Sequence, residues 1–138
     1  MKNKEYLQSA EGLLEIQPNQ IALLSNASAF LMTSLDRLNW VGFYLYDGKR
    51  LNVGPFQGNV ACATIEIGKG VCGEAAAFNK TVVVDDVLNY DNHIACDSNS
   101  RSEAVIPIII NNQLFGVLDV DSPVLNRFDL ETVDFLEQ

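Results

Sequence analysis

Two apolar runs, Ala104 to Ile110 and Gln113 to Val120, stand on either side of Asn111-Asn112. Asparagine tolerates positive φ, so this pair reads as a tight turn joining two adjacent antiparallel strands. A second hairpin precedes it. Trp40 to Tyr46, WVGFYLY, is rich in aromatic and β-branched residues and has no helical polar face, which marks a strand. Asp47-Gly48 is a hairpin turn, and Arg50 to Val53 is read as the returning strand, its pairing ended by Gly54-Pro55. Two hairpins commit much of a 138-residue chain to one antiparallel sheet.

The remaining segments supply helices and connections. Residues 3–16 read as a short amphipathic helix stopping before Pro18. Residues 19–38 form a stronger one, with Ile21, Leu24, Ala27, Leu31, Leu35 and Leu38 at helical spacing and Pro18 just ahead. Residues 56–63 read as a loop or one helical turn and residues 64–67 as a short strand. Gly68 and Gly70 make a tight turn, and residues 71–78 form a short helix. The β-branched run 81–84 is expected to be a buried strand. Residues 85–102 form a long loop with room for a helical turn near Cys96, and residues 129–137 close the chain as a helix with Asp129 as N-cap. The order gives an α+β class: one domain over residues 1–138, with a central antiparallel sheet flanked by N- and C-terminal helices.

Composition narrows the function classes. The chain is 48% hydrophobic and 20% charged, as globular domains are. A net charge of −9 argues against non-specific nucleic-acid binding and against an anionic membrane surface. The N-terminus has no uninterrupted apolar core for an export signal, and the apolar run at 104–110 is too short to span a bilayer. A reducing cytoplasm is the expected location. There, the odd count of three cysteines, Cys62, Cys72 and Cys96, points to transient or catalytic thiol chemistry.

The densest chemistry lies in residues 91–107, DNHIACDSNSRSEAVIP, where the only histidine, His93, precedes Cys96 by three positions. A polar segment of this length in a compact domain is usually functional or disordered, and this one carries a thiol, an imidazole and carboxylates. Cys96 would need local help to become a thiolate: His93, Arg101 or backbone N–H groups. Cys72, at a helix start, is expected to be polarised in the same way. Structural zinc sites usually bring a close ligand pair, and only His93/Cys96 are close, so no metal is expected. Redox thiols and buried structural thiols both fit the cysteine spacing. Asp119 and Asp121 stand two apart on a strand and share a face, with Glu103 near them at the end of the loop. Acids so placed can bind an ammonium group or be pushed up in pKa and donate a proton; a solvated strand end is the alternative. Trp40 and Tyr44 also share a face, as core residues or as the wall of an apolar pocket.

Five fragments in order, WVGFY at 40–44, ACATIEIGKGVCGEA at 61–75, DDV at 85–87, HIACDSNSRSE at 93–103 and LDVDSP at 118–123, resemble the free methionine-R-sulfoxide reductases, stand-alone GAF-domain enzymes. The resemblance implies small helices and loops over a ligand pocket. It makes Cys96 the nucleophile, Cys62 the main resolving cysteine and Cys72 a secondary thiol. Trp40 and Tyr44 would wall the pocket. Glu103, Asp119 and Asp121 would hold the substrate amine and sulfoxide oxygen, with Asp121 or Glu103 as proton donor. His93 would belong to the substrate site, and backbone N–H groups around Ile94, Ala95 and Cys96 are candidates to meet the substrate carboxylate. Implied further are thioredoxin as reductant, no cofactor, and a homodimer through the N-terminal helices. One departure is Asn89-Tyr90-Asp91-Asn92, where the family pattern brings something like Phe-Pro-Gly before the histidine. The rival is a GAF sensor that binds a small molecule without turnover. Sensor modules usually adjoin an output domain, for which 138 residues leave no room.

Overall fold

The computed structural model describes residues 19–91 and 100–128. The helices read for 3–16 and 129–137, and the loop residues His93, Ile94, Ala95 and Cys96, lie outside them. The elements in chain order are α1 (Gln20–Ser34), β1 (Trp40–Tyr46), β2 (Arg50–Gly58), β3 (Thr64–Glu66), α2 (Gly70–Phe78), β4 (Val82–Val84), a 3-10 turn (Val87–Asn89), β5 (Ser102–Ile110) and β6 (Gln113–Ser122). The strands form one antiparallel sheet in the order β3-β2-β1-β6-β5-β4.

Both hairpins are present. Asn111 and Asn112 have φ of 53° and 63°, the left-handed pair that a two-residue turn requires. In the other, the Asp47 carboxylate accepts from the N–H groups of Lys49 and Arg50, and Gly48 sits at φ 100°. The expected end of β2 at Gly54-Pro55 is corrected: the strand runs on to Gly58. A register shift between Gly42 and Tyr44 leaves Gly54 and Pro55 together opposite Phe43, a bulge. Proline is tolerated there because the position asks for no ladder N–H. Pro107 sits inside β5 for a related reason, since β4 pairs only with Val105, Ala104 and Glu103 and stops short of it.

The first helix starts on Asn19, whose side chain caps the Ala22 N–H at 3.1 Å, and ends at Ser34 rather than at residue 38. Arg37 at φ 57° shows that the chain has left the helix. Of its apolar stripe, Leu24 is buried and Ala27 and Leu31 pack partly, whereas Ile21 is 69% exposed. The strand at 82–84 is an edge strand with Val83 exposed, not the buried strand expected, because β-branching alone does not distinguish the two.

Strand alternation splits the sheet into two faces. Val41, Phe43, Ala104, Ile106, Leu118 and Val120 point to one, which α1 covers with Leu24 and its neighbours. Trp40, Tyr44, Val84, Val105 and Val117 point to the other, covered by Val71, Cys72, Ala75 and Ala76 of α2. The first face is mainly apolar and carries no buried carboxyl group. The second carries the buried acids.

Candidate active site

Three carboxyl groups meet under α2. Asp119 and Asp121 lie on one face of β6, and Glu103 on β5 is the cross-strand partner of Asp121. None of the three is more than 8% exposed. They belong to the strands themselves, so Glu103 enters from the sheet and not from the loop side. On the other flank of β6, Asp121 is paired with Trp40 and Asp119 with Gly42.

The aromatic wall is built by β1 and β2. Trp40 stacks on Tyr44 at 5.9 Å and on Phe56 at 5.1 Å between ring centroids. Its indole N–H donates to the Asn59 carbonyl at 3.1 Å, which fixes the ring. The Tyr44 hydroxyl donates to the Cys62 carbonyl at 2.9 Å. A further backbone bond, Val53 N–H to the Ala63 carbonyl at 2.9 Å, ties the segment after Cys62 to β2. Cys62 is therefore held against the aromatic wall at its backbone; it is disulfide-bonded, whereas Cys72 is free and buried.

Burial controls the charges. Desolvation is the largest cause raising each carboxyl pKa, followed by the negative charge of a neighbour: Asp119 for Glu103, Asp121 for Asp119, and Glu103 for Asp121. Burial and mutual repulsion thus favour the protonated form within the cluster over three ionised carboxylates. Asp119 Oδ1 and Asp121 Oδ1 are buried with no hydrogen-bond partner. An unmet buried acceptor is costly, and such atoms point to a donor or cation that arrives from outside. Cys72, Glu103 and Asp119 offer ligand atoms within 4.8 Å of one another. Such a set could hold a metal ion or an ammonium group equally well.

The expected polarisation of Cys72 is corrected. The residue does occupy the first turn of α2, but burial and then the Asp119 charge raise its thiol pKa well above the ordinary value. Desolvation among carboxylates outweighs a helix of 9 residues. The Tyr44 hydroxyl is likewise driven up, by burial first and Asp119 second.

Several contributors escape a reading of the sequence. The Ser100 hydroxyl donates to Asp121 Oδ2 at 3.2 Å and accepts from the Asn39 amide at 3.1 Å. Gly42 leaves room for Phe56 and the Trp40 ring, and a glycine inside an aromatic strand is the available signal. The Tyr90 hydroxyl donates to Glu74 at 2.6 Å and fastens the departure from the family pattern onto α2. Elsewhere, an open groove of about 590 Å³ lined by Asn79, Lys80, Thr81, Ile106, Pro107 and Ile109 carries no carboxylate.

The GAF domain family profile matches residues 14–138. The chain is 48% identical to the free methionine-R-sulfoxide reductase of Escherichia coli over 118 residues, 86% of this chain and 72% of that protein. This chain belongs to the free methionine-R-sulfoxide reductase family. Solved structures of that family superpose closely. The Staphylococcus aureus fRMsr in complex with substrate has a TM-score of 0.93 and 47% identity, covering 98% of this chain and 88% of its own. The Neisseria meningitidis free methionine-R-sulfoxide reductase in complex with its substrate has a TM-score of 0.94 and 42% identity, covering 98% and 81%. The α+β GAF fold expected from the sequence is the fold observed. Among the described residues, no helix is long and apolar enough to cross a membrane.

Proposed function

We propose that this protein reduces free L-methionine-(R)-sulfoxide to L-methionine. The observation that carries the reading is the buried carboxyl triad with two unpartnered oxygens beside stacked aromatic rings. One end of a free amino acid is an ammonium, which offsets a negative charge there. The other end of this substrate is a methyl sulfoxide, apolar at carbon and basic at oxygen, which suits an aromatic wall with an acid next to it. A peptide-bound methionine lacks the ammonium, so the same triad selects the free amino acid. The family relatives crystallised with substrate support the choice.

In the proposed chemistry a protonated carboxyl, Asp121 or Glu103, gives its proton to the sulfoxide oxygen and makes the sulfur electrophilic. The Cys96 thiolate supplies an electron pair to that oxygen-bearing centre. The S–O bond breaks as the oxygen, carrying the donated proton, becomes bonded to the Cys96 sulfur; the methionine sulfur keeps the electron pair, methionine leaves, and Cys96 is a sulfenic acid. Asp119 holds the ammonium. His93 and the backbone around Ile94 and Ala95 take the substrate carboxylate. The Cys62 thiol then condenses with the sulfenic acid, releasing water and forming a disulfide, which a cytoplasmic dithiol of the thioredoxin type reduces. The Cys62 disulfide and the free Cys72 support Cys62 as the resolving cysteine.

The test is incubation of the reduced protein with each methionine sulfoxide diastereomer, free and N-acetylated, in the presence of a dithiol. Consumption of the free R form alone is expected. Tight binding of free methionine sulfoxide without consumption would make the chain a ligand sensor and end the enzymatic reading.

A further inference from the structure

Asp121 is held at its backbone and at its side chain by two residues to which the proposed chemistry gives no part. The Asn39 N–H donates to the Asp121 carbonyl at 3.0 Å. The Asn39 amide donates to the Ser100 hydroxyl at 3.1 Å, and that hydroxyl donates to Asp121 Oδ2 at 3.2 Å. Ser100 is anchored in turn by the residue after it. The Arg101 N–H donates to the Ser122 carbonyl at 2.7 Å, and the Arg101 carbonyl accepts from the Val87 N–H at 2.8 Å. Ser100 and Asp121 are 5% and 8% exposed, so water competes little for these bonds. The second oxygen, Asp121 Oδ1, is buried with no hydrogen-bond partner. Asp121 stands on β6 between Trp40 of β1 and Glu103 of β5, its two cross-strand neighbours. One oxygen of this acid is taken, and the other is available to a ligand.

We propose that Ser100, oriented by Asn39, is a positioning residue for the reaction: it holds Asp121 Oδ2 as an acceptor, so that the proton for the sulfoxide is carried and given by Oδ1. This rests on the reductase reading, with Asp121 as its acid, and adds how that acid is aimed. A carboxyl group can carry its proton on either oxygen, and only a proton within reach of the sulfoxide is useful. A hydroxyl has one hydrogen to give. Because the Asn39 amide donates to the Ser100 oxygen, the Ser100 hydrogen goes to Oδ2 and the carboxyl proton is left to Oδ1. The backbone bond from Asn39 holds the two ends of this relay together. The 3.2 Å of the Ser100 bond is long for two oxygens, as catalytic hydrogen bonds often are before substrate tightens them. Among the described residues, the titratable groups acting on Asp121 are Glu103 from β5, Asp119 from β6, Cys72 from α2 and Tyr44 from β1. None is cationic, so none of them pins the carboxyl by an ion pair.

Ser100→Ala removes the donor and leaves Asp121 in place. It should slow the single-turnover release of methionine by about 10- to 100-fold, the cost of misplacing a reacting group, with little change in KM for free methionine sulfoxide. Asn39→Ala, which keeps the hydroxyl but frees it to turn, should give a smaller loss in the same direction. The effect must run through Asp121. In an Asp121→Asn background, Ser100→Ala should therefore cost no further rate, a non-additivity that a merely structural role would not produce. A second measurement needs no turnover. The carbonyl stretch of protonated Asp121 is the infrared band lost in Asp121→Asn at the pH of the assay. Ser100→Ala should move that band to higher frequency, as a carbonyl released from a hydrogen bond does. The proposal is overturned if Ser100→Ala releases methionine at the wild-type rate, or if its loss and that of Asp121→Asn multiply as independent effects. It is equally overturned if Asp121→Asn removes no carboxyl band, or if Ser100→Ala leaves the band in place. The infrared shift stands even if methionine sulfoxide is not a substrate, so failure of the function and failure of this role are distinguishable.

Discussion

Asp119 lies directly across the β1–β6 ladder from Gly42, so one of its cross-strand neighbours has no side chain. A methyl there would be 2.3 Å from Phe56 Cβ and 2.7 Å from the Trp40 ring. The glycine allows the aromatic stack of Trp40 and Phe56 to lie close against the strand. Gly42→Ala must push Phe56 or Trp40 aside. Overpacking of this kind costs about 1–3 kcal/mol, read by chemical denaturation. Substrate affinity should fall with it, because Trp40 can no longer hold its 5.1 Å stacking on Phe56. A variant with unchanged stability and unchanged KM would show that the stack does not shape the site.

The three acids are expected to divide their work. Asp121→Asn and Glu103→Gln keep shape and remove an ionisable proton. Each should lower the single-turnover rate, the proton donor by about 10²–10⁴-fold. Asp119→Asn should instead raise KM, because it removes the charge that meets the ammonium. Rapid-quench measurement of methionine released by the reduced variants separates these outcomes. If all three variants release methionine at the wild-type rate, the triad is not acid–base machinery.

Much of this site can be read in the sequence because strand alternation is a strict rule. Asp119 and Asp121 had to share a face once 113–120 was read as a strand, as did Trp40 and Tyr44 once 40–46 was. Asparagine and glycine turn chemistry gave the two hairpins. The β2 bulge was not legible, since Gly54-Pro55 signals a break in pairing and only the partner strand reveals that the ladder resumes at Phe56. Nor was the protonation of Cys72. A helix start announces a polarising dipole, but the carboxyl groups that reverse it come from residues 31 and more positions away in the chain. Ser100 is invisible for the same reason: a serine in a polar run gains meaning only when β6 brings Asp121 to its hydroxyl.

Tyr44 joins the wall to Cys62, the proposed resolving cysteine. Its buried hydroxyl donates to the Cys62 carbonyl at 2.9 Å, and its ring stacks on Trp40. Tyr44→Phe keeps the ring and removes the tether. Stability should fall by about 1 kcal/mol, since one buried carbonyl loses its donor. The larger effect is expected on recycling. After Cys96 is oxidised, disulfide formation should slow while the first release of methionine is little changed, because the tether fixes Cys62 and not the substrate. Stopped-flow oxidation followed by thiol trapping and mass mapping reads both steps. Equal slowing of both would place the hydroxyl in substrate binding instead.

The raised carboxyl pKa values make a prediction about stability whose sign is fixed by linkage. In the unfolded chain these groups titrate at their ordinary values, 3.8 for aspartate and 4.5 for glutamate. In the folded protein, burial first and neighbouring charge second hold them protonated to higher pH. Between the two the folded state binds more protons than the unfolded state. Stability from this cluster is therefore fully present below the ordinary carboxylate values and is lost as pH rises through the folded ones. Each proton held only by the folded state gives a slope of about 1.4 kcal/mol per pH unit. Asp47 acts in the opposite direction and in a different window, because backbone N–H bonds from Arg50 and Lys49 lower its pKa to about 2. Urea unfolding of the substrate-free protein at successive pH values above about 5 therefore isolates the cluster. The comparison with Asp121→Asn cancels the titrating groups outside the cluster. Wild type should lose stability with rising pH more steeply than the variant. Saturating L-methionine should flatten the wild-type curve, since its ammonium lets Asp119 ionise without cost to its neighbours. A wild-type curve parallel to that of Asp121→Asn would mean that Asp121 is ionised throughout, and a general acid at that position would have to be abandoned.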